Sequence, residues 1–123
     1  MMIDSKEYSK AGAEFYLSGL ITSKEIVELN TELINQWDFA SYKYQLWVFE
    51  NVEDFQLEPN TIRFLASQDR AASEKNPNIR VAFVSVSPLV FGLCRMYESF
   101  YSNGPWQTRV FRSLKEAREW LKQ

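Results

Sequence analysis

Histidine is absent from the 123 residues, and cysteine occurs once, at Cys94. Without histidine there is no Ser-His-Asp triad, no imidazole proton shuttle and no His-rich metal site. One cysteine makes neither a structural zinc site nor an internal disulfide. Basic residues are in short supply as well, 14 against 16 acidic, for a net charge of -2. The basic footprint that phosphate backbones demand is missing, which excludes nucleic acid as the expected partner. No apolar run approaches the ~20 residues of a membrane span. The N-terminus carries Asp4, Lys6 and Glu7 in place of a signal peptide. No transmembrane segment is therefore expected, and the cytoplasm is the expected compartment. Glycine and proline number four each, and no repeat, low-complexity tract or linker is seen.

What is abundant is apolar and aromatic: 46% of residues are hydrophobic and 15% aromatic, enough for one packed core in a single domain spanning 1–123. Ile3 to Tyr8 and Ala13 to Ile21 read as two strands of a hairpin around Lys10, Ala11 and Gly12. Thr22 and Glu25 have capping-box spacing, and Ile26, Leu29, Leu33 and Ile34 continue a helix up to Trp37. Tyr44 to Phe49 is a central strand, followed by a loop bearing Glu50, Glu53 and Asp54. Pro59 suits the first turn of a second helix with Ile62, Leu65, Ala66 and Ala72 inward, stopped by Asn76, Pro77 and Asn78. Ile79 to Val86 reads as a parallel strand covered on both faces. Ser87 then caps a third helix opened by Pro88, with Leu89, Val90, Leu93, Met96, Tyr97 and Phe100 inward and an end near Asn103 and Gly104. Thr108 to Phe111 forms a last strand, and Ser113 caps a helix whose stripe is Ala117, Trp120 and Leu121. The fold class is α/β: a mixed, mainly parallel open sheet of about five strands, an antiparallel N-terminal edge strand, and about four helices.

This order of elements resembles the STAS fold of anti-sigma-factor antagonists and sulphate-transporter tails. IRVAFVSVSPLVFGLCRMYESFY followed by TRVFRSLKEAREWL is similar to the uncharacterised SpoIIAA-like family. The resemblance implies the STAS-like architecture and a role in binding protein. In anti-sigma-factor antagonists a phosphorylatable Ser lies in an Asp-Ser-Ser-Gly stretch at the start of the second helix. Here that region reads ENVEDFQLEPNTIRFLA, whose nearest hydroxyl is Thr61. The phospho-switch therefore carries over to no matched residue.

In open α/β sheets ligands lie beyond the carboxyl ends of parallel strands, near helix N-termini. Four segments should meet there: Thr22 with Ser23, Glu50 to Thr61, Ser85 with Ser87, and Arg112 with Ser113. Thr61, Ser85, Ser87 and Arg112 are the candidate ligand-binding residues, each hydroxyl having helix capping as its plainer role. Glu50, Glu53 and Asp54 form the one carboxylate cluster near this rim, more in keeping with a solvated loop than with acid/base work. Cys94 has no histidine to activate it and reads as a small buried hydrophobe. Arg95 either faces solvent or pairs with Glu98, and Gly92 suggests close approach of its helix to a strand. Trp37, Phe39, Tyr42, Tyr44, Phe100, Tyr101 and Trp106 either complete the core or form an exposed patch.

No catalytic residue, metal or cofactor is implied. The expected function is a non-enzymatic, STAS-like interaction domain, a homodimer with a regulatory protein as further partner. The alternative is a carrier or sensor of a small apolar or anionic ligand.

Overall fold

The computed structural model describes residues 1–123. The strands are β1 (Met2–Tyr8), β2 (Gly12–Thr22), β3 (Tyr44–Gln56), β4 (Arg80–Val84) and β5 (Gln107–Phe111). The helices are α1 (Ser23–Ile34), α2 (Thr61–Lys75), α3 (Pro88–Tyr101) and α4 (Leu114–Leu121), with one 3-10 turn at Phe39–Ser41. Spatial order follows chain order, β1-β2-β3-β4-β5. β1 is antiparallel to β2, and every other neighbour is parallel. The sheet is thus the expected mixed one of five strands, with the hairpin strand at its edge and four helices.

Chain order that never reverses has a consequence for the layers. Right-handed crossovers taken always in one direction place every crossover helix on the same face. α1, α2 and α3 accordingly share one face, where their apolar stripes meet Phe15, Leu17, Trp47 and Phe83 in a core of 22 buried residues. α4 is no crossover, and its Ala117 packs on the other face against Leu46, Val48, Ala82, Val84 and Phe111. The pleat of β3 sorts its side chains accordingly. Trp47 and Phe49 face the three helices, and Leu46 and Val48 face α4.

Five sequence expectations are corrected. α1 stops at Ile34, three residues before Trp37, which is 93% exposed. β3 runs through the acidic stretch expected as a loop, because β2 continues to pair with it (Gly19 with Val52, Leu20 with Asp54, Ile21 with Phe55). Register shifts around Gly19, together with left-handed backbone at Gly19 (φ 78) and Asn51 (φ 51), carry the ladder on. β4 ends at Val84, leaving Val86 exposed. In α3 the buried stripe is Val90, Cys94, Tyr97 and Tyr101, spaced by four, three and four residues, so Leu89 and Met96 fall outside it and are exposed. Gly92 on that helix has no atom near its missing Cβ and serves no close approach. Close approach occurs at Gly12, where a Cβ would stand 2.2 Å from the Tyr44 carbonyl oxygen.

The aromatic surplus is mostly core. Phe39, Tyr42, Tyr101 and Trp106 are buried, and Tyr101 stacks between Tyr97 and Trp106 at centroid distances of 5.9 and 5.7 Å. Asn76 ties this end together. Its Nδ2 donates to the Phe39 and Tyr42 carbonyls at 2.9 and 2.7 Å, and its own carbonyl accepts from Trp106 Nε1 at 2.6 Å.

Candidate functional site

The four residues chosen from sequence do not form one site. Thr61 is the first residue of α2 rather than its cap; Asn60, with left-handed backbone, precedes it, and Pro59 lies outside the helix. The Thr61 hydroxyl is 2.7 Å from Ser23 Oγ, which accepts from Glu58 N–H at 2.6 Å, so this pair stitches α1 to the segment entering α2. Ser85 is buried, and its Oγ accepts from Ser87 N–H at 3.1 Å. Ser87 caps α3 through Val90 N–H at 3.4 Å. Arg112 is exposed, with its guanidinium 4.3 Å from the Phe91 ring centre. A crevice at strand ends needs a reversal of strand order, which puts helices on opposite faces of the sheet. No reversal occurs among β2 to β5, and the rim is accordingly split into separate pairs. Arg95 does both, with an exposed side chain whose Nε lies 3.4 Å from Glu98 Oε1. Glu50, Glu53 and Asp54 are exposed along β3.

The concave feature lies inside the fold, between the sheet and α1–α3. Its walls are apolar, built from Ile26 of α1, Trp47 and Phe49 of β3, Phe83 of β4, Leu65 of α2 and Val90 of α3. The cavity measures about 60 Å³. At the mouth, Leu57, Ile62 and Leu93 also line a surface groove that continues past Arg63 and Phe100.

Polar groups converge at the other end. Asp69 of α2 is 4% exposed, accepting from Asn30 Nδ2 of α1 at 2.9 Å on Oδ1 and from the Tyr97 hydroxyl of α3 on Oδ2. Asn30 Nδ2 also reaches Gln68 Oε1 at 3.0 Å. From β3, Gln45 is 1% exposed and accepts Trp47 Nε1 at 3.0 Å on Oε1. An indole nitrogen only donates, so this bond fixes which end of the Gln45 amide is oxygen. The remaining end, Nε2, is buried and has no partner. Depth follows from helix geometry. Asp69 is seven residues beyond Ile62 on α2, ~10 Å at 1.5 Å per residue, so the polar groups lie at the inner end and the apolar walls lead out to solvent.

The electrostatics are those of a dry site. Burial pushes the Asp69 carboxyl up to about 6, against the pull of the Tyr97 and Asn30 hydrogen bonds. No ion pair includes it. Burial, then the Asp69 charge and hydrogen bond, hold the Tyr97 phenol well above its ordinary range. Cys94, also on the wall, is pushed up to about 12 by burial and by the Glu98 charge. Both stay protonated at neutral pH, and neither is an activated nucleophile. The cleft thus combines apolar walls, a buried donor without a partner and a buried carboxylate without a positive partner.

Sequence reasoning missed this site although a signal was present. Asn30 falls four residues after Ile26 on the inward stripe of α1, Asp69 four after Leu65 on that of α2, and Gln45 precedes Leu46 in an otherwise apolar strand. Each is a polar residue at a position that buries. No family model, curated protein or solved structure matches the chain.

Proposed function

We propose that this protein is a non-enzymatic binding module that takes one small, largely apolar molecule into the cleft between its sheet and α1–α3, as a carrier or sensor. The observation that carries this reading is Gln45, a residue of the apolar cleft's lining whose buried Nε2 has no protein partner. A buried donor left unmade costs about 1–3 kcal/mol. A ligand in the cleft supplies the missing acceptor. Relationship to the SpoIIAA-like family belongs to the same proposal, supported by the strings that form β4 with α3 and β5 with α4.

N-phenyl-1-naphthylamine, a neutral apolar dye that brightens out of water, tests the reading. Saturable one-to-one binding is expected for the natural chain and its loss in Leu93→Trp, since Leu93 stands half-buried at the mouth and a larger ring closes it. No saturable binding to the natural chain refutes the reading. A second reading, homodimerisation or docking of a regulatory protein, draws on Trp37 beyond the end of α1 and on exposed Val86 and Leu89 before α3. Sedimentation equilibrium decides its homodimer form: a dimer dissociated by Trp37→Glu supports it, and a monomer throughout removes it.

A further inference from the structure

Two buried side-chain atoms lack hydrogen-bond partners, Tyr42 Oη and Gln45 Nε2, and the second belongs to a residue of the cleft lining. The same lining includes Asp69, a buried carboxylate with two neutral donors and no cation. Buried charges are ordinarily paired, because taking an ion out of water is repaid only by an opposite charge or by hydrogen bonds to its remaining lone pairs. Asn30 and Tyr97 each occupy one oxygen of Asp69, which leaves lone pairs on both and the negative charge unmatched. The aromatic side chains of Trp47, Phe49, Phe83 and Tyr97 on the same lining add ring faces, which attract cations, or edges.

Resting on the proposed binding role, we infer that the ligand is an amphiphilic amine: its ammonium group faces Asp69, an adjacent oxygen accepts from Gln45 Nε2, and its apolar tail runs out between Leu65, Phe83 and Val90 to the mouth. The two head-group atoms answer two different deficits, one of charge and one of hydrogen bonding. The apolar walls ask only for hydrocarbon. An anionic amphiphile such as a fatty acid satisfies Gln45 but sets a second negative charge beside Asp69, and a plain alcohol leaves the carboxylate unpaired. Amino alcohols with an alkyl tail satisfy both positions.

The test is displacement of N-phenyl-1-naphthylamine by four compounds sharing one octyl skeleton: 2-amino-1-octanol, octylamine, 1-octanol and octanoate. A hydrogen bond to a charged group is worth ~10-fold or more in affinity and a neutral one several-fold. Octylamine is therefore expected to bind at least ~10-fold more tightly than 1-octanol, 2-amino-1-octanol several-fold more tightly again, and octanoate most weakly. Asp69→Asn should erase the advantage of the amine while keeping affinity for 1-octanol. Gln45→Met should erase only the gain from the hydroxyl. Equal affinities for amine and alcohol, tighter octanoate, no gain from the hydroxyl, or failure of the whole series to displace bound dye overturns the inference and leaves the binding reading in place. Absence of dye binding removes both. Should a variant fold poorly, the order of the four compounds on the natural chain decides alone.

Discussion

Replacing Asp69 with asparagine isolates what the buried carboxylate does to stability. In the native state burial raises this carboxyl from 3.8 to about 6, so the folded chain holds a proton that the unfolded chain has already released between those two values. Stability then falls as pH rises through this window, because the native state binds more protons than the unfolded one. Well below pH 3.8 both states are protonated and no penalty exists; well above pH 6 both are ionised and the penalty is complete. At ~1.4 kcal/mol per tenfold change in proton affinity, the full penalty is ~3 kcal/mol. Asparagine matches the shape of aspartate, still accepts from Asn30, and offers Tyr97 Oη a donor in exchange for an acceptor. Asp69→Asn should therefore be about as stable as the natural chain at pH 4 and more stable by ~2–3 kcal/mol at pH 8. Urea unfolding at half-unit steps across that range, followed by tryptophan fluorescence, reads this as a midpoint difference growing from pH 4 to 6 and then level, with an unchanged slope on denaturant. Equal loss of stability in the variant at every pH would refute the reasoning, since Asp69 would then stabilise the fold through its hydrogen bonds.

Asn76→Ala strips the Tyr42 carbonyl of its buried donor, while the Phe39 carbonyl keeps the Tyr42 N–H, and should cost ~1–3 kcal/mol at one unsatisfied group, measured by the same urea titration; a loss well under ~1 kcal/mol would show that water replaces the amide. Cys94, buried and with its thiol pushed up to about 12, should react with a disulfide reagent such as DTNB at neutral pH only as fast as the chain opens. Rapid stoichiometric labelling of the folded protein would contradict that placement.

Local signals were legible where their physics is local. Thr22 and Glu25 bond each other's backbone N–H as the capping box requires, and Ser87 and Ser113 both cap. Alternation and helical spacing, which depend on neighbours within a few residues, placed five strands and four helices. Features that depend on distant pairing were not legible. Glu50 to Gln56 is polar enough to read as a loop, and only the ladder with β2 past Gly19 holds it as strand. α3 carries apolar side chains around more than one face, so periodicity alone did not separate Tyr101, which is buried, from Leu89 and Met96, which are not. The site was hidden for a related reason. Asn30, Gln45, Asp69 and Tyr97 come from four elements, and no short motif joins them. The rim of hydroxyls drew attention because its residues stand at helix starts, where most are occupied with capping or with one another.

Native mass spectrometry of the protein, purified gently and without detergent or organic solvent, tests the central claim most directly, because one spectrum reports chain stoichiometry and any bound small molecule together. The account predicts one extra mass per chain that leaves on denaturation and is missing from Leu93→Trp. A bare chain under those conditions, or an adduct carried equally by Leu93→Trp, would contradict it.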